Sequence, residues 1–68
     1  MKNIAWENNN LKEILDRKDI KQEELAEYLG LSQNTVSQYV NAKREPKLKI
    51  ICKICEYLKI ENIEDLFK

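Results

Sequence analysis

Apolar residues recur along most of the chain at intervals of three and four positions, the spacing of one face of an α-helix. The pattern predicts four short helices and a final helical turn, with these inward-facing residues: Leu11, Ile14 and Leu15; Leu25, Ala26 and Leu29; Val36, Tyr39 and Val40; Leu48, Ile51, Cys55 and Leu58, widened by Ile54; and Ile63, Leu66 and Phe67. No segment alternates with period two, so we expect no core sheet. The predicted fold class is all-α, a compact bundle of four to five short helices in a single domain over residues 1–68.

Polar residues mark where these helices begin and end. The asparagine run at residues 8–10 can supply an N-cap to the first helix, and Ser32 has the place of an N-cap on the third. Gly30 follows the second helix, where a residue in the left-handed conformation is needed. Residues 41–46 are polar and end in Pro46, so we expect a loop there.

Residues 22–41 have the sequence form of a helix-turn-helix. Gly30 gives the backbone the freedom to turn sharply, and Ala26 is small where the two helices must approach closely. Leu31 and Val36 would fill the angle between the helices. In such a motif the second helix lies in the major groove of DNA.

The outward face of the third predicted helix is made of uncharged polar residues. If Val36 and its apolar neighbours face inward, the exposed positions are Gln33, Asn34, Ser37, Gln38 and Asn41. Asn and Gln amides match the N6 and N7 edge of adenine, and Ser can pair with several bases. We therefore predict that the first four of these residues read bases. The alternative is a plain solvated face, on which Lys and Glu are more common.

The charges are balanced overall but unevenly distributed. The chain has 12 Lys and Arg residues and 12 Asp and Glu residues, yet residues 32–55 contain five basic residues against one acidic residue. Phosphate contacts from this region would hold the preceding helix on DNA. Lys43 and Arg44 are the main candidates, and Lys18 and Lys21 could add to the rim. The alternative for each is an ordinary solvated side chain.

The composition argues against an enzyme. A chain of 68 residues is too short to bury both a core and a substrate cleft, and it contains no His, the usual general base and commonest metal ligand. We therefore expect no catalytic residue, metal site, cofactor or small-molecule ligand. No apolar run approaches the roughly 20 residues of a membrane span. Residues 1–6 lack the apolar region of a signal peptide, which predicts a cytoplasmic location.

The two cysteines form a C-x-x-C within the fourth predicted helix. A zinc site would need two more ligands, and a redox site would need a helix N-terminus. We expect Cys52 and Cys55 to be reduced and to serve as small core or near-core residues.

Several apolar residues exceed what the predicted helix faces can bury. We predict a dimer interface on the fourth helix and the tail, formed by Tyr57, Ile63 and Phe67. For Ile4 and Trp6 the alternative is packing over the junction between the first helix and the tail.

Residues 11–67 resemble the Cro/repressor-type, XRE-like helix-turn-helix family of phage and bacterial regulators, whose domains have the lambda-repressor-like fold. The matching segments are residues 22–37 and 41–48. The resemblance implies that Gln33, Asn34, Ser37 and Gln38 reach base edges. It also implies that Gln22 binds phosphate and braces Gln33, while Asn41, Lys43 and Arg44 contact the DNA backbone. Members usually bind near-palindromic operators as two-fold dimers, with half-sites about 34 Å apart.

Three positions depart from the family pattern. Ala42 stands where the family commonly has Gly, which leaves the end of the third helix without the easiest left-handed residue. Lys21 occupies an N-cap position although its side chain cannot accept a hydrogen bond. Leu15 and Val40 replace a charged pair found in several phage repressors, so we expect a hydrophobic contact there.

The residues and the resemblance together predict a sequence-specific regulator of transcription that binds double-stranded DNA. The specific hypothesis is a dimeric repressor on a near-palindromic operator. An antitoxin or a restriction–modification controller that regulates its own operon is an alternative with the same architecture. A protein-interaction domain that no longer binds DNA is the alternative from another class.

Overall fold

Helices make up most of the computed structural model, which describes residues 5–67. The four α-helices are α1 (Leu11–Arg17), α2 (Gln22–Leu29), α3 (Gln33–Val40) and α4 (Leu48–Leu58). A short 3-10 helix (Trp6–Asn8) precedes them, and a second one (Ile63–Phe67) forms the tail. No strand occurs in this range, so the predicted all-α class and its four helices are confirmed.

One hydrophobic cluster joins all of these elements. α2 packs against α3 and α4, while the tail packs against α1 and α4. The completely buried side chains at its centre are those of Leu11, Leu25, Ile54, Leu58, Leu66 and Val36. Leu15 and Val40, the two positions that could have held a charged pair, both belong to this cluster. The rigid packing of α2 on the rest of the domain fixes the orientation of α3.

Each of the first three helices begins with a side-chain hydrogen bond. The N-cap residue of α1, Asn10, makes no side-chain cap, but the preceding Asn9 Oδ1 accepts from the Leu11 N–H at 2.9 Å. Lys21 cannot accept such a bond, but the Glu24 Oε1 accepts from the Lys21 N–H at 3.1 Å. At α3 the Ser32 Oγ accepts from the Thr35 N–H at 3.1 Å, as predicted.

All four α-helices end in the same Schellman motif. In each, a residue one or two positions after the helix has a left-handed backbone: Asp19 (φ 57°), Gly30 (φ 71°), Ala42 (φ 59°) and Lys59 (φ 59°). The next N–H donates to the carbonyl five residues earlier, at 2.8–3.0 Å, and these donors are Ile20, Leu31, Lys43 and Ile60. Three of the four left-handed positions are therefore filled without glycine, Ala42 among them.

Three predicted burial assignments are wrong. Leu48 is 67% exposed, because it is the first residue of α4. The apolar stripe of α4 extends beyond the part of the helix that neighbouring elements cover. Ile63 is 37% exposed at the start of the tail helix, and Cys52 is exposed on the outer side of α4.

The Trp6 side chain packs into the core. It is buried, and its ring meets that of Phe67 edge to face with centroids 5.8 Å apart. The prediction that Trp6 packs against the tail is confirmed. Ile4, for which the same packing was considered, lies outside the described residues. So do residues 1–4 of the segment in which we predicted no signal peptide. No helix among residues 5–67 is long and apolar enough to span a bilayer.

Candidate nucleic-acid interface

The turn between α2 and α3 fixes which face of α3 points outward. Gly30 turns the chain in the left-handed conformation, and Leu31 packs half-buried against the core. Val36, Tyr39 and Val40 are buried on the inward face of α3. The opposite face points away from the core, fully exposed in the first turn of α3 and half-buried in the second.

The four predicted base-reading residues lie on this helix, over two consecutive turns. Gln33 and Asn34 are exposed at its beginning, while Ser37 and Gln38 are half-buried one turn later. No residue of α3 carries a charge. Within residues 5–67, the side-chain amides of Gln33, Asn34 and Gln38 make no hydrogen bond to the rest of the domain. They are therefore free to bind an external partner.

Two hydroxyl groups on α3 are engaged within the domain. The Thr35 hydroxyl shares a hydrogen bond of 2.9 Å with that of Ser32. The Asn41 Nδ2 donates to the Ser37 Oγ at 3.3 Å. Because the Ser37 hydroxyl accepts this bond, its own proton remains available for an acceptor outside the domain.

The predicted phosphate-binding residues surround α3 at both of its ends. Gln22, the first residue of α2, lines a surface depression together with Gln33 at the start of α3. This proximity agrees with the bracing role that the family resemblance implies, although the two side chains are not hydrogen-bonded to each other within the described residues. Lys43 and Arg44 are exposed in the loop that follows α3, next to exposed Asn41.

One further basic residue borders this surface and was not predicted from the sequence. Lys12 on α1 lines the same depression as Gln22 and Gln33. Asp16 and Asp19 also line it and reduce its positive potential. The helical pattern indicates that Lys12 is exposed, but only the folded arrangement of the helices brings it beside Gln22 and Gln33. Of the two suggested rim residues, Lys21 lines this depression, whereas Lys18 lies elsewhere, beside Arg17 and Ile60.

The cysteines lie away from this surface, on α4. Partial burial raises the pKa of the Cys55 thiol, and the neighbouring Cys52 and Asp65 add to this effect. Cys55 therefore stays a neutral thiol and a poor ligand or nucleophile at neutral pH. Among residues 5–67, no group of three or more His, Cys, Asp or Glu side chains could hold a metal ion.

The three residues predicted to form a dimer interface differ in how exposed they are to a partner. Tyr57 is half-buried and its ring packs on that of Tyr28, with centroids 4.7 Å apart. Phe67 is half-buried against Trp6, whereas Ile63 is exposed. Leu48 is the most exposed of the large apolar residues among those described. The structure thus adds Leu48 to the apolar residues that a partner could cover.

Comparison with known families places most of the chain in one family. A family model described as helix-turn-helix matches residues 11–66, which include both helices of the motif and the basic loop. A search of curated proteins finds no match to the chain.

Proposed function

The chain belongs to the Cro/C1-type, XRE-like helix-turn-helix family of DNA-binding regulators, and on this basis we propose that it is a dimeric repressor of transcription. It would bind a near-palindromic operator, with one α3 helix in the major groove of each half-site. Repression would follow from occlusion, because a dimer that covers the operator excludes other proteins from the same DNA.

The observation that carries the proposal is the uncharged, hydrogen-bonding face of α3. Its amides are free within the described domain and have both donors and acceptors, which suits adenine in the major groove. A surface that bound DNA without regard to sequence would instead need many positive charges. Gln33, Asn34, Ser37 and Gln38 would therefore supply specificity, and the loss of one bidentate contact should cost about 1–3 kcal/mol of binding free energy.

The exposed charges after α3 support the second half of the proposal, which concerns affinity. Lys43 and Arg44 follow the end of the helix directly, so they would reach the phosphates beside the groove that α3 occupies. Gln22 would contact a phosphate at the other end, while bracing Gln33. These contacts would position the reading helix and make binding dependent on salt.

The decisive experiment is selection from a random duplex library at near-physiological salt, followed by sequencing. The wild type should enrich an inverted repeat, and Gln33→Ala/Asn34→Ala should lose or blur specific positions within it. The matched control is Asn8→Ala/Asn62→Ala, which removes two exposed amides outside α3 and should select the same repeat. A wild type that enriches no duplex would contradict the proposal and favour a protein-interaction domain.

A further inference from the structure

We propose that Trp6 is a positioning residue for DNA binding. Its indole N–H holds the C-terminal end of α3, and so directs the loop that contains Lys43 and Arg44 towards the DNA backbone. This inference rests on the proposed function, because it assigns a role within the same interface. It gives the segment before α1 a part in DNA recognition that its sequence does not reveal.

The first argument comes from comparing the four helix ends. A hydrophobic residue normally follows the left-handed position of a Schellman motif and packs back onto the domain. Ile20, Leu31 and Ile60 fill this position after α1, α2 and α4, and all three are packed against the core. After α3 the residue is Lys43, which is exposed. The end of α3 therefore lacks the hydrophobic anchor that the other three helices have.

The second argument is a buried hydrogen bond at this same place. The Trp6 Nε1–H donates to the carbonyl oxygen of Tyr39 at 2.7 Å, across 33 residues of sequence. The same carbonyl accepts the Ala42 N–H at 3.1 Å, one of the two bonds that define the motif. The indole thus binds the end of α3 through the Tyr39 carbonyl, an atom of the Schellman motif itself. It takes the place of the hydrophobic residue that is missing at position 43.

The third argument is the backbone conformation that this bond supports. Ala42 has φ 59°, which an alanine adopts only at a free-energy cost. The direction of the following residues depends on this turn, because the Lys43 N–H closes it by donating to the Gln38 carbonyl at 2.8 Å. Trp6 and its neighbours also border residues 42–45 across a shallow surface pocket. Without the indole bond, the turn would populate other conformations and the loop would lose its fixed direction.

The alternative is that Trp6 acts only as a core residue, and a pair of variants separates the two roles. Trp6→Phe keeps an aromatic ring against Phe67 but removes the N–H donor. Ile14→Val is the matched control, because it removes a buried methylene group from the same hydrophobic cluster and leaves the bond from Trp6 to Tyr39 in place. Both variants are studied at a temperature at which circular dichroism shows them fully folded.

The first readout needs no DNA. Amide hydrogen exchange of Lys43 reports the closing bond of the turn. Measured relative to exchange of the buried Leu25 amide, it should be faster in Trp6→Phe than in Ile14→Val. Equal exchange in the two variants would overturn the inference, whatever the result with DNA.

The second readout is binding to the duplex that the wild type selects. Trp6→Phe should weaken binding by up to about tenfold, the equivalent of one net hydrogen bond, without changing the base preference. The slope of log affinity against log salt should fall by about one for each phosphate contact that is lost. Ile14→Val should keep the wild-type affinity and slope. Matching values for both variants would overturn the inference, whereas a wild type that selects no duplex would overturn the proposed function itself.

Discussion

At the scale of single residues, the hydrogen bond between Asn41 and Ser37 limits what each can offer to DNA. The Asn41 Nδ2 occupies an acceptor position of the Ser37 hydroxyl, so this hydroxyl can act outward as a donor. A donor suits the acceptor atoms N7 and O6 of guanine, N7 of adenine and O4 of thymine, but not the N4 amine of cytosine. With one of its two lone pairs occupied, Ser37 would favour these acceptor atoms if it reads bases as proposed.

Asn41→Ala should broaden the base preference at the one operator position that Ser37 contacts. Without the amide, the hydroxyl can rotate and accept as well as donate, so discrimination there should fall within the range of about 1–3 kcal/mol that a good base contact supplies. Selection and sequencing with the variant would measure the change. Asn34→Ala is the control, because it should affect a different position. An unchanged preference in Asn41→Ala would show that the pair does not control Ser37.

At the scale of elements, the helix ends determine how the four α-helices are arranged. Each ends in a Schellman motif, yet only Gly30 has the residue type that adopts its backbone conformation without strain. Asp19, Ala42 and Lys59 hold the same conformation because the packing of the next element requires it. The domain therefore contains strain at three of its helix ends.

Ala42→Gly should stabilise the domain by about 0.5–1 kcal/mol. Glycine removes the strain of a positive φ, although it also gains more conformational entropy on unfolding than alanine does. Chemical denaturation of the two proteins would give the difference in the free energy of unfolding. The same exchange at Ala26, which is buried within helix α2, should instead destabilise the domain. A less stable Ala42→Gly variant would contradict the argument from strain.

The sequence predicts those features of the elements that depend on neighbouring residues. Gly30 and Ser32 indicate the turn and the cap correctly, because both act through bonds to residues within one helical turn. The exposure of Leu48 and the position of Lys12 beside Gln22 depend on how distant helices pack, which helical periodicity does not encode. For the same reason, the bond from Trp6 to Tyr39 could not be predicted from a sequence separation of 33 residues.

At the scale of the whole molecule, the positive and negative charges sum to zero but lie in different regions. The exposed positive charges of residues 43–49 follow α3, while Glu23, Glu24 and Glu27 lie together on α2, beside Tyr57. Because the total charge is zero, long-range attraction to DNA is weak. Discrimination between the proposed operator and other DNA would therefore depend on the contacts of α3 and on DNA shape.

Ile63→Asp should convert the proposed dimer into a folded monomer. A charge at an apolar interface must be desolvated without a partner on association, whereas it is solvated in the monomer because Ile63 is 37% exposed there. Sedimentation would measure the oligomeric state, and circular dichroism would confirm the fold. Leu48→Asp tests the other exposed apolar residue that a partner could cover. A monomer only in the Leu48 variant would move the interface to the start of α4.

The single tryptophan of this chain is the residue that binds the end of α3. Its fluorescence is therefore an intrinsic probe of that helix end. A buried indole emits at shorter wavelength than one in water, and with 4% of its surface exposed Trp6 should show a clear red shift on unfolding. Emission that changes on titration with an operator duplex would follow occupancy of the basic loop beside Trp6, with no attached dye to disturb the surface under study.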